Sequence, residues 1–274
     1  MKAVLETWDL CYTYNGETLA LNHVTVAFYK GERVAVLGNN GAGKSTFFSM
    51  LNGLRKPDSG GVKYNGAPIG YSRKELIGLR QKVGEVFQEA DRQIIAATVE
   101  AEVSFGPMNL KLPREEAARR TSGAIRYMNL DGYERRSPHC LSGGEKKRVS
   151  IAGVIAMEPE ILLFDEPTAS LDPYHVAQLE ETLERMHREG RTLVISTHDV
   201  EFAYRWADRV LVFHQGRLAA DGTPEQVFSN QELLKQACLK QPVLWQAAAL
   251  LAERGLLAPE KGFPKTVKEL SRLL

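Results

Sequence analysis

The chain has 274 residues, of which 43% are hydrophobic and 25% charged, and its formal net charge is +1. This composition is typical of a globular protein large enough for one big domain, or for a domain with an appendage. The near-neutral charge excludes a global electrostatic attraction to nucleic acid or to an anionic membrane.

Neither the cysteines nor the apolar runs indicate an exported or membrane-spanning protein. Cys11, Cys140 and Cys238 lie far apart without a CxxC pair, so neither a disulfide framework nor a zinc knuckle is indicated and a reducing cytoplasm is the default. The first residues hold no apolar run of signal-peptide type, and no window approaches the ~18 apolar residues needed to cross a bilayer. Any membrane role is therefore expected to be peripheral.

The first part of the chain has the pattern of β-strands. Residues 3–14 are apolar and aromatic with partial alternation, and residues 20–38 contain two strands separated by a turn at residues 30–32. Val34 to Leu37 form a continuous apolar run that ends in glycine, which predicts a strand buried on both faces.

A helical and charged texture follows. A helix is predicted from Ser45 to about Gly53, and residues 60–69 have the pattern of a short hairpin. Residues 99–154 read as helical, with breaks expected at Gly106-Pro107 and Ser137-Pro138. This stretch is expected to be a helical insert.

The pattern of buried strands returns in the last third. Strands are predicted in residues 160–167 and 191–198 with a helix over residues 176–188 between them, and residues 209–222 predict a closing hairpin. After about Pro224 the chain reads as a helical extension. The sequence thus predicts an α/β core with a helical insert.

One loop has the residues needed to bind a nucleoside triphosphate. It fits the pattern G-x-x-x-x-G-K-[ST] between a predicted strand and a predicted helix. Backbone N–H groups and the helix N-terminus would surround the phosphates, Lys44 would reach the β- and γ-phosphates, and the Ser45 hydroxyl would coordinate Mg²⁺. The phosphate loop comprises Gly38, Asn39, Asn40, Gly41, Ala42, Gly43, Lys44, Ser45 and Thr46.

Two acids and a histidine follow the ends of later strands. Asp165 and Glu166 end the strand of residues 160–167, so their side chains diverge and can take different roles. One can hold Mg²⁺ and the other can polarise the attacking water. His198 ends the next strand, where it could donate to a γ-phosphate or serve as a structural residue.

A second segment, Leu141–Glu145 (the signature segment), also has groups suited to phosphate. It offers the Ser142 hydroxyl and the N–H groups of Gly143 and Gly144 at the start of a predicted helix. The basic triplet that follows, residues 146–148, is expected to be a solvated helix face. The phosphate loop lies about a hundred residues earlier, which raises the question of why one chain has both.

These motifs together resemble the ATP-binding-cassette (ABC) ATPases. The resemblance spans Val4 to Asp221 with five motifs in the family's order. It implies a P-loop NTPase (RecA-like) α/β core with an N-terminal antiparallel β subdomain and an inserted α-helical subdomain at about residues 90–154. The ABC domain would occupy residues 1–223, and residues 224–274 would form a helical C-terminal extension.

The resemblance also implies residue roles and a cofactor. Tyr14 would stack on adenine, and Gln88 would link the γ-phosphate and Mg²⁺ to a partner protein. Glu166, His198 and Gln88 would be catalytic. Ser45, Gln88 and Asp165 would hold Mg²⁺, and Asp172 would lie in the loop that communicates between two sites.

The same resemblance explains the two phosphate-binding segments. In the family, two subunits pack head to tail, and each completes the ATP site of the other. The signature segment, comprising Leu141, Ser142, Gly143, Gly144 and Glu145, would then act on the partner's nucleotide. Glu145 departs from the commoner glutamine, and only a modest effect is expected. The partner would be a second copy or a paralogous ATPase.

Within the family, two segments resemble the ATPase subunits of energy-coupling-factor importers. They are residues 79–113 and 146–173, and residues 67–80 look most like the cobalt-importer branch. Glu89-Ala90 and Arg92 depart from the usual pattern after the glutamine, which puts the fit to a particular membrane partner in doubt. The C-terminal extension, with Trp245 and Leu250, is expected to serve dimerisation or regulation, or to pack on its own core.

The sequence therefore predicts an ATPase at the cytoplasmic face of the cell membrane that powers cobalt import through separate coupling and substrate-binding subunits. Nickel or a vitamin is the alternative substrate. A soluble ABC protein acting on ribosomes or DNA is the rival class, but this chain has one cassette, a short insert and no basic stripe for nucleic acid. The membrane partner is expected to dock beside Gln88, against Ile94, Ile95 and Val99.

Overall fold

The computed structural model describes residues 2–169, 171–257 and 263–274. The strands are β1 (Ala3–Thr13), β2 (Leu19–Tyr29), β3 (Arg33–Leu37), β4 (Ser59–Tyr64), β5 (Ala67–Pro68), β6 (Val83–Val86), β7 (Ile161–Asp165), β8 (Thr192–Thr197), β9 (Arg209–His214) and β10 (Arg217–Gly222). The helices are α1 (Lys44–Leu51), α2 (Arg73–Lys82), α3 (Val99–Asn109), α4 (Arg114–Tyr127), α5 (Gly143–Ile155), α6 (Pro173–Arg188), α7 (Val200–Trp206), α8 (Pro224–Ser229), α9 (Gln231–Gln236), α10 (Val243–Glu253) and α11 (Val267–Leu273).

The larger sheet has the strand order β10-β9-β3-β8-β7-β6. β3 pairs in parallel with both β8 and β9, β7 lies parallel to both β8 and β6, and only the edge strand β10 is antiparallel. Val34 to Leu37 are fully buried, as the continuous apolar run predicts. Because β3, β7 and β8 end at the same edge, the residues that follow them lie together.

The smaller sheet is antiparallel and has the order β2-β1-β4-β5. Leu5, Leu10 and Phe28 of this sheet are fully buried in a cluster that also includes the residues of α1. Phe47 of α1 lies at the centre of this cluster, with ring centroids 6.2 Å from Phe28 and 5.0 Å from Phe213. α1 is therefore packed between the two sheets, which fixes the phosphate loop at its N-terminus.

The helical insert comprises α3, α4 and α5. The predicted break at Gly106-Pro107 is wrong, because α3 continues to Asn109 with Pro107 inside it. Gly106 allows this path, since a Cβ there would lie 2.6 Å from Cγ of Met157. The missing N–H of Pro107 falls in the last turn, where the disruption stays local. The break at Ser137-Pro138 is confirmed between α4 and α5.

The segment after Pro224 is helical and packs on the core. Val227, Phe228, Leu234 and Trp245 belong to the same buried cluster as the strands of the larger sheet. Leu250, on α10 as well, is 56% exposed. One face of α10 is thus packed on the core, as one of the two alternatives predicts, and a role of the extension in dimerisation or regulation stays a prediction. The division into residues 1–223 and 224–274 stays a prediction, and residues 258–262 of the predicted extension lie outside the described ranges.

Packing of the extension on the core leads to a first prediction. Trp245 is 6% exposed, and its ring centroid lies 4.2 Å from that of Phe263 and 5.8 Å from that of Tyr204. Trp245→Ala should lower the free energy of unfolding by about 3 kcal/mol, because it leaves a cavity among aromatic rings. Denaturant titration followed by circular dichroism measures this change.

Leu250→Ala on the same helix is the matched control and should change the free energy of unfolding by no more than about 0.5 kcal/mol. If Trp245→Ala changed the free energy of unfolding as little as Leu250→Ala does, α10 would not use the Trp245 face for packing.

Candidate active site

The phosphate loop connects β3 to α1 with a backbone that requires glycine. Gly38, Gly41 and Gly43 have φ angles of 154°, 81° and 104°. A Cβ at Gly38 would lie 2.5 Å from the Phe213 carbonyl oxygen, and one at Gly43 would lie 2.6 Å from the Ala20 carbonyl oxygen. Larger residues are therefore excluded at both positions. The loop ends at the N-terminus of α1, where unpaired N–H groups favour an anion.

Lys44 lies within this loop and is only 6% exposed. Its Nζ donates to the carbonyl oxygen of Gly38 at 2.6 Å and to that of Asn39 at 3.4 Å. The same Nζ lies 3.3 Å from Oε1 of Glu166. The ammonium group is thus held where the loop and the end of β7 meet.

The two carboxylates at the end of β7 point to different partners, as predicted. Oδ1 of Asp165 accepts a hydrogen bond from the Ser196 hydroxyl at 2.5 Å. Glu166 is 6% exposed, and its Oε2 lies 2.9 Å from Nδ1 of His198. The Glu166 backbone has a φ of 41°, and its N–H donates to the carbonyl and the hydroxyl of Ser196. A left-handed glutamate held by two hydrogen bonds is a feature that clusters at functional sites.

Tyr14 lies beside Thr46, the last residue of the phosphate loop. Its hydroxyl is 2.9 Å from Oγ1 of Thr46, and the side chain is 55% exposed. The guanidinium of Arg55 lies 4.8 Å from the Tyr14 ring centroid. The phenol is therefore fixed at its hydroxyl while much of its ring faces solvent.

One open cleft of about 680 Å³ brings most of the predicted nucleotide-binding residues together. Residues 39–46 of the phosphate loop line it together with Tyr14, Gln88, Glu166 and His198. The lining of this cleft contains neither the signature segment nor Asp172. Asp165 lies just outside the lining, next to Glu166 in the chain.

The signature segment begins α5, and Ser142 is its N-cap. Ser142 Oγ accepts from the Glu145 N–H at 3.3 Å, while Oε2 of Glu145 accepts from both the N–H and the hydroxyl of Ser142 at 2.8 Å. These bonds hold the pKa of Glu145 below its ordinary value. Ser142 and Gly143 are exposed, whereas Gly144 is buried beneath the ring of His175. Leu141 is buried in the core.

Asp172 is the N-cap of α6. Its Oδ1 accepts from the His175 N–H at 2.9 Å, and its Oδ2 lies 2.7 Å from Nδ1 of His175. These contacts hold the pKa of Asp172 below its ordinary value. The carboxylate is exposed and lies close to the signature segment through the contact between His175 and Gly144.

The expectation that residues 146–148 form a solvated helix face is wrong. Lys147 is 4% exposed, and its Nζ donates to the carbonyl oxygens of Phe87 and Gln88 at 2.8 and 2.9 Å. Burial lowers the pKa of Lys147 to about 8. Lys146 pairs with Asp91 at 2.7 Å. Lys147 is missed by motif analysis, although its spacing from Ile151 and Val154 could have placed it on the buried face of α5.

The residues predicted to hold Mg²⁺ form a suitable set of donors. Ser45, Gln88 and Asp165 supply a hydroxyl, an amide and a carboxylate, which are hard oxygen ligands of the kind that Mg²⁺ prefers. Among the described residues, Oε1 of Glu166, beside this set, is buried without a hydrogen-bond partner and lies 3.3 Å from Nζ of Lys44. The residues present therefore fit a divalent cation bound with phosphate.

Known proteins are similar to this chain in both sequence and fold. The family described as "ABC transporter" matches residues 21–169. The energy-coupling factor transporter ATP-binding protein EcfA2 of Methanospirillum hungatei is 44% identical over 274 residues, covering 100% of this chain and 69% of that protein. The EcfA protein of Methanothermobacter thermautotrophicus is 46% identical over 266 residues, covering 97% of this chain and 85% of that protein.

Two solved structures extend the comparison. CbiO1 from Clostridium perfringens, part of the ABC transporter complex CbiONQ, is 41% identical with a TM-score of 0.76, covering 86% of this chain and 94% of that one. A dimeric ATP-binding cassette in a post-hydrolysis state, bound to ADP and Pi, is 28% identical with a TM-score of 0.72, covering 80% and 98%. The predicted fold class is confirmed. The chain therefore belongs to the ABC transporter family as an ATP-hydrolysing subunit of the energy-coupling-factor type.

Proposed function

We propose that this chain hydrolyses MgATP in the cleft between Tyr14 and His198 and so powers the import of cobalt ions through separate membrane subunits. The observation that carries the catalytic part is the contact of Glu166 with both Lys44, at 3.3 Å, and His198, at 2.9 Å. The choice of cobalt is supported by the resemblance of residues 67–80 to the cobalt-importer branch. Nickel or a vitamin remains the alternative.

In this proposal each side of the cleft binds a different part of ATP. The exposed face of Tyr14 stacks on adenine, and the phosphate loop surrounds the phosphates with N–H groups. Lys44 moves its ammonium from the Gly38 carbonyl to the β- and γ-phosphates. Once Lys44 binds phosphate, Glu166 is left to accept a hydrogen bond from the attacking water, and His198 donates to the γ-phosphate.

Magnesium is part of the same proposal. Ser45, Gln88 and Asp165 are the residues that would hold it. Bound Mg²⁺ would neutralise charge on the β- and γ-phosphate oxygens. Ser196 keeps Asp165 oriented through the hydrogen bond to Oδ1. Gln88 is exposed, and its backbone carbonyl is fixed by Lys147. The side chain can therefore move toward the phosphates while the backbone of Gln88 stays in place.

The signature segment is proposed to act on a second subunit. Ser142 and Gly143 are exposed but lie outside the cleft of their own chain. A head-to-tail dimer would present the Ser142 hydroxyl and the N-terminus of α5 to the partner's γ-phosphate. Asp172 would lie between the two sites. Loss of the γ-phosphate would remove these contacts and allow the dimer to open.

The membrane partner is proposed to dock in a groove of about 1020 Å³ between the larger sheet, α2 and the helical insert (the docking groove). Ile95, Phe105 and Met108 line it and are 65%, 49% and 67% exposed. The expected contacts with Ile94 and Val99 are wrong, because these side chains are 5% and 0% exposed within the chain's own core.

Two carboxylates shape this groove. Glu102 accepts from the N–H groups of Ile95 and Ala96 at 2.8 and 2.7 Å, and so fixes the turn that exposes Ile95. Glu85 lies deeper, where burial and the nearby charge of Asp165 raise its pKa to about 8.

No helix of the described residues is long and apolar enough to cross a membrane. We propose that the docked partner holds the chain at the cytoplasmic face of the membrane.

The role of Glu166 gives a prediction. Glu166→Gln should retain ATP binding but lower the rate of phosphate release about 100-fold or more, because the amide cannot take up the water proton. Binding of labelled ATP and release of phosphate by the purified chain measure the two effects. Glu115→Gln on the exposed surface of α4 is the control. Turnover of the Glu166→Gln chain at the wild-type rate would exclude this role.

The two-chain site gives a second prediction. Lys44→Ala and Ser142→Arg chains should each be inactive, but an equal mixture should regain part of the ATPase activity. One site of the mixed dimer would combine an intact Lys44 with an intact Ser142. Phosphate release by the mixture is the measurement.

The matched control mixes Lys44→Ala chains with chains that carry both substitutions, which contain no intact site in any pairing. Absence of rescue in the first mixture, with mixed dimers demonstrated by tagged co-purification, would contradict the shared site.

Transport is tested by uptake of labelled Co²⁺ into cells that express the chain with its genomic membrane neighbours. Lys44→Ala should abolish uptake, because the lysine is needed to bind the phosphates. Uptake that is unchanged by Lys44→Ala would refute the cobalt proposal. If uptake of Ni²⁺ or of a vitamin requires Lys44, the alternative substrate would be selected instead. If no transport depends on Lys44, a soluble ABC ATPase would be favoured.

The same cells test the docking groove. Ile95→Asp should reduce uptake and co-purification with the membrane subunits, since it places a charge in the apolar groove, while ATPase activity of the isolated chain persists. Leu250→Asp, at a position on α10 that is also more than half exposed, is the control and should have neither effect.

A further inference from the structure

A cavity of about 330 Å³ lies between α5 and α6 and is bordered at one end by Met128 and Asn129, which follow α4. It is separate from the chain's own nucleotide cleft and from the docking groove, and Gly144 of the signature segment also lines it. One face of α5 contributes Lys147, Arg148 and Ile151, and the facing side of α6 contributes Gln178, Arg185 and Arg188. The cavity therefore lies at the boundary between the helical insert and the α/β core.

The walls of this cavity are unusually basic. Three guanidinium groups, of Arg148, Arg185 and Arg188, line it, and the carboxylate in the lining is that of Glu181, which is exposed. Over residues 2–169, 171–257 and 263–274, none of the three arginines has a carboxylate partner within 4.0 Å. The three like charges in this cavity repel one another, and one exposed carboxylate in the lining offsets them only in part.

Two of these arginines also have unused donors. Nε of Arg148 and Nε of Arg185 are buried without a hydrogen-bond partner. Arg148 is anchored by one bond from Nη1 to Gln178 at 3.0 Å. Arg185 donates to the carbonyl of Tyr127 and stacks on the Tyr127 ring with its Cζ 3.6 Å from the centroid. Both side chains are thus held in place while part of their hydrogen-bonding capacity is unused.

We propose that this cavity binds a compact anion that bears a phosphate or carboxylate group, held by Arg148, Arg185 and Arg188. Planar guanidinium groups bind these oxyanions through paired, charge-assisted hydrogen bonds, and the anion adds negative charge to that of Glu181 against the three arginines. The volume accommodates the anionic group together with a small organic part.

Occupation of the cavity would act on the catalytic cleft through α5. A bound anion bridges Arg148 of α5 to Arg185 of α6 and so stabilises the position of the helical insert against the core. On the turn beside Arg148, Lys147 holds the backbone carbonyls of Phe87 and Gln88. The anion would thereby stabilise one position of Gln88 and of the signature segment. Only this regulatory consequence rests on the proposed function.

Binding is measured by calorimetric titration of the purified full-length chain with inorganic phosphate and, separately, with citrate. The Lys44→Ala background removes the ammonium of the phosphate loop, so that the loop contributes little to the signal. In this background, Arg185→Gln with Arg188→Gln should weaken binding about tenfold or more. Saturable binding of phosphate alone identifies a phosphate site, and binding of citrate as well identifies a broader oxyanion site.

Glu181→Gln on the same face of α6 is the matched control and should tighten binding, since it removes the negative charge from the wall. The single variant Arg188→Gln, at an exposed position, tests the site with little risk to folding, and thermal melting verifies each variant. Equal affinity with and without the arginines, or no binding in the Lys44→Ala background, would overturn the proposal. These titrations contain no ATP and no membrane subunit, so their failure is distinguishable from failure of the transport proposal.

Discussion

The parallel alignment of β3, β8 and β7 is the constraint on which the catalytic cleft depends. In this register Leu37 lies opposite Thr197, and Asp165 lies opposite Ser196. The residues that leave these strands therefore meet at one edge of the sheet. The phosphate loop, the two carboxylates and His198 come from distant parts of the chain, and buried backbone pairing brings them to a few ångströms of one another.

Much of this arrangement could be predicted from the sequence because its signals are local. A buried apolar run, a glycine pattern and an acid at a strand end each have one strong physical interpretation. The order of these motifs along the chain supplies the remaining information about the fold. The positions of Lys44, Glu166 and His198 follow from such signals. The loop glycines Gly38 and Gly43 do as well, since close backbone contacts leave no room for a side chain.

Other features could not be predicted because they depend on packing between distant segments. α3 continues through Pro107, and it packs against both α4 and α5 of the insert. Ile94 and Val99 appear as accessible as Ile95 in the sequence, yet Glu102 turns the backbone so that only Ile95 faces outward. Lysine usually lies at the surface of a protein, and only the fold shows the two carbonyl groups that bind the ammonium of Lys147.

The hydrogen bonds of Ser142 within its own chain have a consequence for ligand choice. The hydroxyl that would bind a neighbouring phosphate already donates to the carboxylate of Glu145, which Tyr133 in turn holds in place. An incoming acceptor must displace an anion rather than water. A weak or singly charged acceptor gains nothing from this exchange, whereas a terminal phosphate with several negative oxygens does. The acidic variant of the signature segment would thus favour a terminal phosphate over a weaker acceptor at the Ser142 hydroxyl.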